Sequence, residues 1–273
     1  MKDFYRKRVL VTGGAGGLGH SIARRFAAEG AALVLTDVAA TVLEDMVADF
    51  RRRGVACEGH VIDVTDAGAV VALRERVHDE GGPIQVLVNN AGVVHGGPFL
   101  EVPLERHLRT LRVNVDGVVA MTHAFLPDLV ASREGQLVNV ASASGFVGLP
   151  FGSTYAASKW AVIGFSESVR LELKELGHGH VGVTTVCPGY VDTGMFAGVR
   201  PPRLTRLLTP DAVAEEVLAA VRAGKPLVLE PWLIKLTPFL AHALPKGVSD
   251  LLAEAFGATS GMKGWRGHSG ARH

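Results

Sequence analysis

A chain of 273 residues, 48% hydrophobic and 20% charged, carries enough apolar material for one large core, and a single domain is expected. The 28 Lys+Arg and 27 Asp+Glu nearly cancel and no basic stripe is interleaved with aromatics, which argues against a nucleic-acid binder. No apolar run reaches bilayer length and the N-terminus lacks a signal-peptide core; with two distant cysteines, Cys57 and Cys187, this predicts free thiols in a reducing, cytoplasmic setting.

Arg8 to Val11 is a short β-rich run leading into Thr12-Gly-Gly-Ala-Gly-Gly-Leu-Gly19, followed by a helical stretch from His20 to Glu29. Strand, glycine turn and helix together present backbone N–H groups and a helix N-terminus to phosphate. Gly14, Gly16 and Gly19 fit G-x-G-x-x-G, while Gly13, Gly17 and Gly19 fit T-G-x-x-x-G-x-G; the readings overlap and count once. Leu33 to Asp37 reads as the second strand. Its terminal acid stands about 20 residues past the loop, where a carboxylate accepts hydrogen bonds from an adenosine ribose. That charge repels a 2′-phosphate, and no Lys or Arg follows closely or sits in the glycine loop, which favours NAD over NADP. A helix N-cap is the competing reading of Asp37.

Thr41 to Arg53 and Asp66 to Glu80 read as helices, Glu58 to Ile62 and Gln85 to Asn89 as strands. Alternation of this kind predicts a parallel sheet with helices on both faces, all strand ends meeting one crevice. Gly13, Asp37, Asp63 and Asn89 fall on that edge. Asn89-Asn-Ala-Gly92 suits a strand-end turn. A long helical region, Glu105 to Ser132, has Asn114 near its middle; the asparagine is either tolerated or its amide is used. Gln136 to Val140 is the fifth strand, and Ser142 and Ser144 follow as turn hydroxyls or as functional groups. Thr154 to Leu176 is a helix that places Tyr155 and Lys159 one turn apart on one face. The nearby ammonium is expected to favour phenolate and lower the tyrosine pKa. Val181 to Val186 is the sixth strand, ended by Pro188-Gly189, Thr209 to Ala223 a capped helix, and Pro226 to Leu229 the seventh strand.

With Thr12-Gly-x-x-x-Gly-x-Gly19, Asp63, Asn89-Asn-Ala-Gly92, Asn114, Ser142, Tyr155-x-x-x-Lys159 and Pro188-Gly189 in this order, the sequence resembles the short-chain dehydrogenase/reductase family from about Lys7 to Leu229. Ala141 stands where many members have a second serine. The resemblance implies a single doubly wound, Rossmann-type α/β domain over residues 1–230, with about seven mostly parallel strands. Residues 231–273 would form a C-terminal helical extension of the same domain. It implies NAD-dependent interconversion of a secondary alcohol and a ketone. Tyr155 would be the acid and base, and Lys159 would bind the nicotinamide ribose and tune Tyr155. Ser142 would polarise the substrate oxygen, and Asn114 would anchor a water linking Lys159 to solvent. Gly13, Gly17, Leu18 and Gly19 would cradle pyrophosphate and Asp37 the ribose, with Asp63 and Val64 at the adenine. Asn90, Ala91 and Gly92 would line the inner cofactor site. Pro188, Gly189, Val191 and Thr193 would flank the carboxamide. Family members pair helices into a homodimer or homotetramer, here through Asn114's and Tyr155's helices. The Trp160–Phe165 stretch would serve that interface or the core.

Specificity is expected in variable segments. Gly194 to Leu208 reads as a mobile lid. Pro231 to Leu244 is an apolar tail that caps the pocket, packs on a second subunit or lies on a membrane, and Val248 to Phe256 is a further helix. Val93, Val94, Phe146, Leu149, Phe151, Tyr190, Met195 and Phe196 are pocket candidates, so the substrate would be a steroid, terpenoid or long-chain alcohol or ketone. His95 would add a hydrogen bond there. His178-Gly-His180 reads as a surface turn, not a metal site, and the glycine-rich end is ordered if Met262 and Trp265 dock. An NADPH-dependent carbonyl reductase and a non-catalytic dinucleotide-binding regulator are the alternatives.

Overall fold

A computed structural model describes residues 1, 3–202, 205–231, 234–235, 244–255, 257 and 260–267. Seven strands form one parallel sheet in the order β3-β2-β1-β4-β5-β6-β7. They are β1 (Arg8–Thr12), β2 (Ala32–Asp37), β3 (Cys57–Val61), β4 (Val86–Asn89), β5 (Gln136–Val140), β6 (Gly182–Pro188) and β7 (Leu227–Glu230). Between them run α1 (Gly17–Ala28), α2 (Ala40–Arg52), α3 (Ala67–Gly81), α4 (Leu104–Leu111), α5 (Gly117–Ala131), α6 (Ser153–Glu175) and α7 (Pro210–Ala223). A further helix, α8 (Lys246–Ala255), follows β7. It matches the helix expected from Val248; of the apolar tail before it, most lies outside the described residues. Among the described residues no helix is long and apolar enough to cross a membrane.

Strand periodicity explains the two layers of core. Successive side chains point to opposite faces, so Val9 and Val11 pack with Ile22, Phe26, Val47 and Val217 of α1, α2 and α7. Leu10 points the other way, into Leu73, Met121, Phe125 and Leu173 of α3, α5 and α6. A strand buried on both faces has no polar side to show, which is why β1 and β4 read as unbroken apolar runs. Both thiols, Cys57 and Cys187, are buried and free, and burial pushes each up to about 12.

Helix ends follow local chemistry. Asp66 caps α3 by accepting from Ala69 N at 3.0 Å, and Thr209 caps α7 by accepting from Ala212 N at 3.2 Å. The capped helix expected from Thr209 is therefore present. Helix α1 begins earlier than expected, at Gly17 inside the glycine run. The long helical region is divided: α4 and α5 are joined by one wider π-helical turn, Arg112–Asp116, that contains Asn114.

The sheet order reverses direction at β1, which lies between β2 and β4. Helices leave opposite faces at that point and open a crevice beyond the strand C-termini.

Candidate active site

The crevice has a volume of about 370 Å³ and runs from the glycine loop and Asp37 to Ser142, Tyr155 and Lys159. Every residue expected to hold a dinucleotide lines it: Gly13, Gly17, Leu18, Gly19, Asp37, Asp63, Val64, Asn90, Ala91, Gly92, Pro188, Gly189, Val191 and Thr193, with Tyr155 and Lys159.

At the first end, the two glycine readings separate. Gly13 has φ +63, and a Cβ on Gly19 would stand 2.2 Å from the Gly13 carbonyl oxygen. These two positions demand glycine. The N-cap of α1 is Gly16, which offers no side-chain acceptor, so the first-turn N–H groups of α1 border the crevice uncapped. The Asp37 carboxylate accepts from Ala15 N at 3.0 Å through one oxygen and from Ala39 N at 3.0 Å through the other. It therefore braces the glycine loop, and the N-cap position of α2 belongs to Ala39, not to Asp37. Asp63 accepts from the Thr65 N–H at 2.9 Å and the Thr65 hydroxyl at 2.8 Å, fixing the turn after β3.

Asn90 has a second task. Its amide donates to the Thr12 and Gly13 carbonyls at 3.0 and 3.1 Å, while the Thr12 hydroxyl accepts from the N–H of both Asn90 and Ala91 at 3.0 Å. The glycine loop and the turn after β4 are thereby tied together. Asn89 closes the fourth strand as expected, but its side chain does more than suit a turn. It is buried inside β4 and donates to Thr122 Oγ1 at 3.0 Å and Asn139 Oδ1 at 2.9 Å. Asn139 in turn donates to Ser166 Oγ at 2.9 Å.

Asn114 is fully buried and its amide is used. It donates to the Val93 carbonyl at 3.0 Å and Ser158 Oγ at 2.9 Å, and accepts from Val93 N at 2.8 Å. The π turn frees the backbone geometry that lets this side chain reach inward from mid-helix. Ser158, which the sequence reading missed, passes the contact on by donating to the Tyr155 carbonyl at 2.6 Å. Its signal was its place on α6 one residue before Lys159, facing the preceding helix.

At the second end, Tyr155 and Lys159 are 6% and 5% exposed. The Lys159 ammonium donates to the Val140 carbonyl at 2.9 Å and lies 5.6 Å from the Tyr155 ring centroid. Ser142 caps the short 3-10 turn Ala143–Gly145 by accepting from Ser144 N at 3.2 Å. The expected lowering of the Tyr155 pKa is not what the site produces. Burial pushes the phenol well above its ordinary value, and the adjacent Ser142 hydroxyl pulls it back only in part. Burial also draws Lys159 down to about 8. The ammonium beside the ring does not offset the loss of water.

Of the pocket candidates, Val94, Leu149, Phe151, Tyr190, Met195 and Phe196 gather around Tyr155, and Phe196 stacks edge-on to it at 5.7 Å. Val93 lines the crevice. Phe146 does not join them: it follows the Ala143–Gly145 turn and packs with Val118, Val162 and Cys187. The His95 ring bonds to Thr110 Oγ1 at 3.0 Å. Since that hydroxyl already donates to the Arg106 carbonyl, His95 Nδ1 is the donor. The segment expected as a lid is tied at its base, with Asp192 N donating to the Leu208 carbonyl and Leu208 N to the Tyr190 carbonyl, both at 2.9 Å. Met262 and Trp265 dock on it. His180 bonds the Val130 carbonyl at 3.0 Å in an exposed turn. Trp160 is half-exposed while Val162 is buried, so that stretch divides between surface and core. Arg109, near the end of α4, borders the crevice unforeseen.

The fold, the glycine loop and the Ser142–Tyr155–Lys159 group define a dinucleotide-fold oxidoreductase. A family model described as short chain dehydrogenase matches residues 7–203, and the chain belongs to the short-chain dehydrogenase/reductase family. It is 36% identical over 275 residues to the probable oxidoreductase EphD of Mycobacterium tuberculosis, covering 93% of this chain and 45% of that protein. The chain thus spans about half the length of this mycobacterial relative. It is 32% identical over 262 residues to epidermal retinol dehydrogenase 2 of Mus musculus, covering 95% of this chain and 85% of the relative. A short chain dehydrogenase/reductase from Burkholderia phymatum in complex with NAD is similar in structure, with TM-score 0.82, 28% identity, and coverage of 89% and 95%. An alcohol dehydrogenase from Thermococcus sibiricus complexed with 5-hydroxy-NADP gives TM-score 0.73 and 28% identity, with coverage of 82% and 95%.

Proposed function

We propose that this oxidoreductase uses NAD to interconvert a lipophilic secondary alcohol and its ketone, with Tyr155 as the proton carrier. The observation that carries the reading is one crevice with Asp37 and the glycine loop at one end and Ser142, Tyr155 and Lys159 at the other. The residues fit a dinucleotide: the loop leaves no room for a Cβ at Gly13 or Gly19, and the α1 N–H groups have no side-chain cap. Bound there, the nicotinamide would supply the hydride acceptor in oxidation and the hydride donor in reduction.

The chain's own groups do the rest. The loop N–H groups of Gly17, Leu18 and Gly19 hold pyrophosphate, and Asp37 accepts from the ribose hydroxyls. Asp63 and Val64 border the adenine, Asn90, Ala91 and Gly92 the middle of the crevice. Pro188, Gly189, Val191 and Thr193 border the nicotinamide. In oxidation the Tyr155 phenolate takes the hydroxyl proton as hydride leaves the carbinol carbon; in reduction the phenol returns it. Ser142 donates to the substrate oxygen, where negative charge develops. Lys159 would bind the nicotinamide ribose. Asn114 Oδ1 has one lone pair left after accepting from Val93 N. A Cβ on Gly92 would stand 3.2 Å from that oxygen and 3.7 Å from Lys159 Nζ, so a water near this point would bridge Asn114 and Lys159.

The apolar surroundings of Tyr155 support a lipophilic substrate, as does the likeness to a retinol dehydrogenase. The exposed Val38 after Asp37, where a 2′-phosphate would need a cation, supports NAD. The described residues past Glu230 are read as part of the same domain, and a second copy as its partner through the half-exposed Trp160 helix. Measuring the affinities of NADH and NADPH tests the cofactor: NADH is expected to bind more tightly, and a preference for NADPH of about tenfold overturns the Asp37 argument.

A further inference from the structure

The apolar cluster around Tyr155 is completed by the far C-terminal segment. Tyr155, Val94, Val199 and Met262 form one buried cluster, with Met195, Phe196 and Trp265 packed against it. Residues 194–200 come over Tyr155 after β6, and residues 260–267, which include the 3-10 turn Gly261–Gly264, lie across them. Three hydrogen bonds tie the two segments. Trp265 Nε1 donates to the Met195 carbonyl at 3.1 Å. Arg266 N donates to the Ala197 carbonyl at 2.9 Å, and Arg200 N to the Gly261 carbonyl at 3.1 Å.

The two backbones touch where Gly198 meets Gly264. A Cβ on Gly198, whose φ is +83, would stand 2.2 Å from the Gly264 carbonyl oxygen, and a Cβ on Gly264 would stand 2.6 Å from that of Gly198. The opposite wall is fitted as closely. A Cβ on Gly96, in the loop after β4, would meet the Trp265 ring at 2.9 Å and Met262 Cε at 3.0 Å. Met262 is 1% exposed. The segment is thus wedged between the loop after β4 and the segment after β6, both of which pack with Tyr155.

We propose that residues 260–267 are the roof of the substrate compartment, and that Met262 and Trp265 determine which lipophilic alcohols it admits. The proposal rests on the reading of Tyr155 as proton carrier. Met262 is the adaptable wall: an unbranched thioether fills an irregular apolar space, and shortening it leaves that space to the substrate. Trp265 is the latch. Its ring covers the compartment while its N–H holds the segment carrying Met195 and Phe196 in place.

The test uses NAD with secondary alcohols from cyclohexanol to cyclododecanol, on wild type, Met262→Ala and Trp265→Phe. Amide hydrogen exchange of residues 194–200 is followed in the same three proteins. Met262→Ala is expected to raise the kcat/KM ratio of the bulkiest alcohol to the smallest by about tenfold. Trp265→Phe keeps the ring and removes the bond; it is expected to speed exchange in residues 194–200 by about tenfold. A ratio within about twofold of wild type in Met262→Ala overturns the specificity claim, and unchanged exchange in Trp265→Phe overturns the latch. Should wild type oxidise no alcohol in the panel, the Tyr155 reading fails, and the exchange measurement alone still decides whether the roof holds the segment.

Discussion

Tyr155 and Lys159 sit in an environment that resists charge on either of them. Burial raises the phenol and lowers the ammonium, the latter to about 8. Phenolate is therefore scarce at neutral pH. Alcohol oxidation, which needs the phenolate, should have a kcat/KM that climbs with pH through the alkaline range, while ketone reduction, which needs the phenol, should not. A pH-rate profile for each direction checks this, and an oxidation rate flat across that range speaks against Tyr155 as the base. The same shifts leave a mark on stability. Between pH 8 and 9 the unfolded chain holds a proton on Lys159 that the folded chain has begun to lose, so stability rises with pH. Above pH 9 buried Cys57 and Cys187, raised to about 12, keep protons that the unfolded chain loses, and stability falls. Denaturant titrations across this range should show the rise in wild type and lose it in Lys159→Met. The Tyr–Lys spacing was plain in the sequence. The sign of the tyrosine's shift was not, because spacing along a helix says nothing of how much water the fold removes.

At the level of elements, periodicity and turn residues located all seven strands and the helices to within a few residues, with α4 and α5 read as one region. Two features escaped. One was the π turn between α4 and α5, since an asparagine in a helical pattern does not reveal a widened turn. The other was the polar ladder under the sheet. Asn89 and Asn139 stand opposite each other in the register of β4 and β5, and that pairing is visible only once the strand order is known. The ladder runs from Thr122 through Asn89 and Asn139 to Ser166, joining α5, two strands and α6. Removing its middle member strands buried partners on both sides. Asn139→Ala should cost about 1–3 kcal/mol in unfolding free energy, read from the midpoint of chemical denaturation. Asn114→Ala strands the Val93 backbone and Ser158 in the same way and should cost a similar amount, about 1–3 kcal/mol. It should also lower turnover, because Ser158 and Val93 border Tyr155 and the crevice; full activity in a stably folded Asn114→Ala enzyme would argue that the asparagine serves the fold alone.

For the molecule as a whole, the parallel sheet brings residues from six different strand ends to one edge, which is why fold and dinucleotide site could be read together. The C-terminal region could not be read this way. Residues 260–267 lie beyond the last strand, and their docking partner stands some seventy residues earlier in the chain, on the segment after β6. Cofactor choice belongs to this scale too, since Asp37 faces the glycine loop across the β1–β2 edge. Asp37→Ala removes both the ribose acceptor and the brace on Ala15; it should weaken NADH binding and narrow the gap to NADPH in a fluorescence titration.

The account turns on whether one buried phenol passes the proton. Purified wild type and Tyr155→Phe, given NAD and a panel of lipophilic secondary alcohols, can be followed by the absorbance of reduced nicotinamide, with NADH binding measured alongside. Wild type should turn over at least one alcohol, and Tyr155→Phe should bind NADH normally while losing about 10²–10⁴-fold in turnover. A Tyr155→Phe enzyme that keeps wild-type turnover would contradict the account.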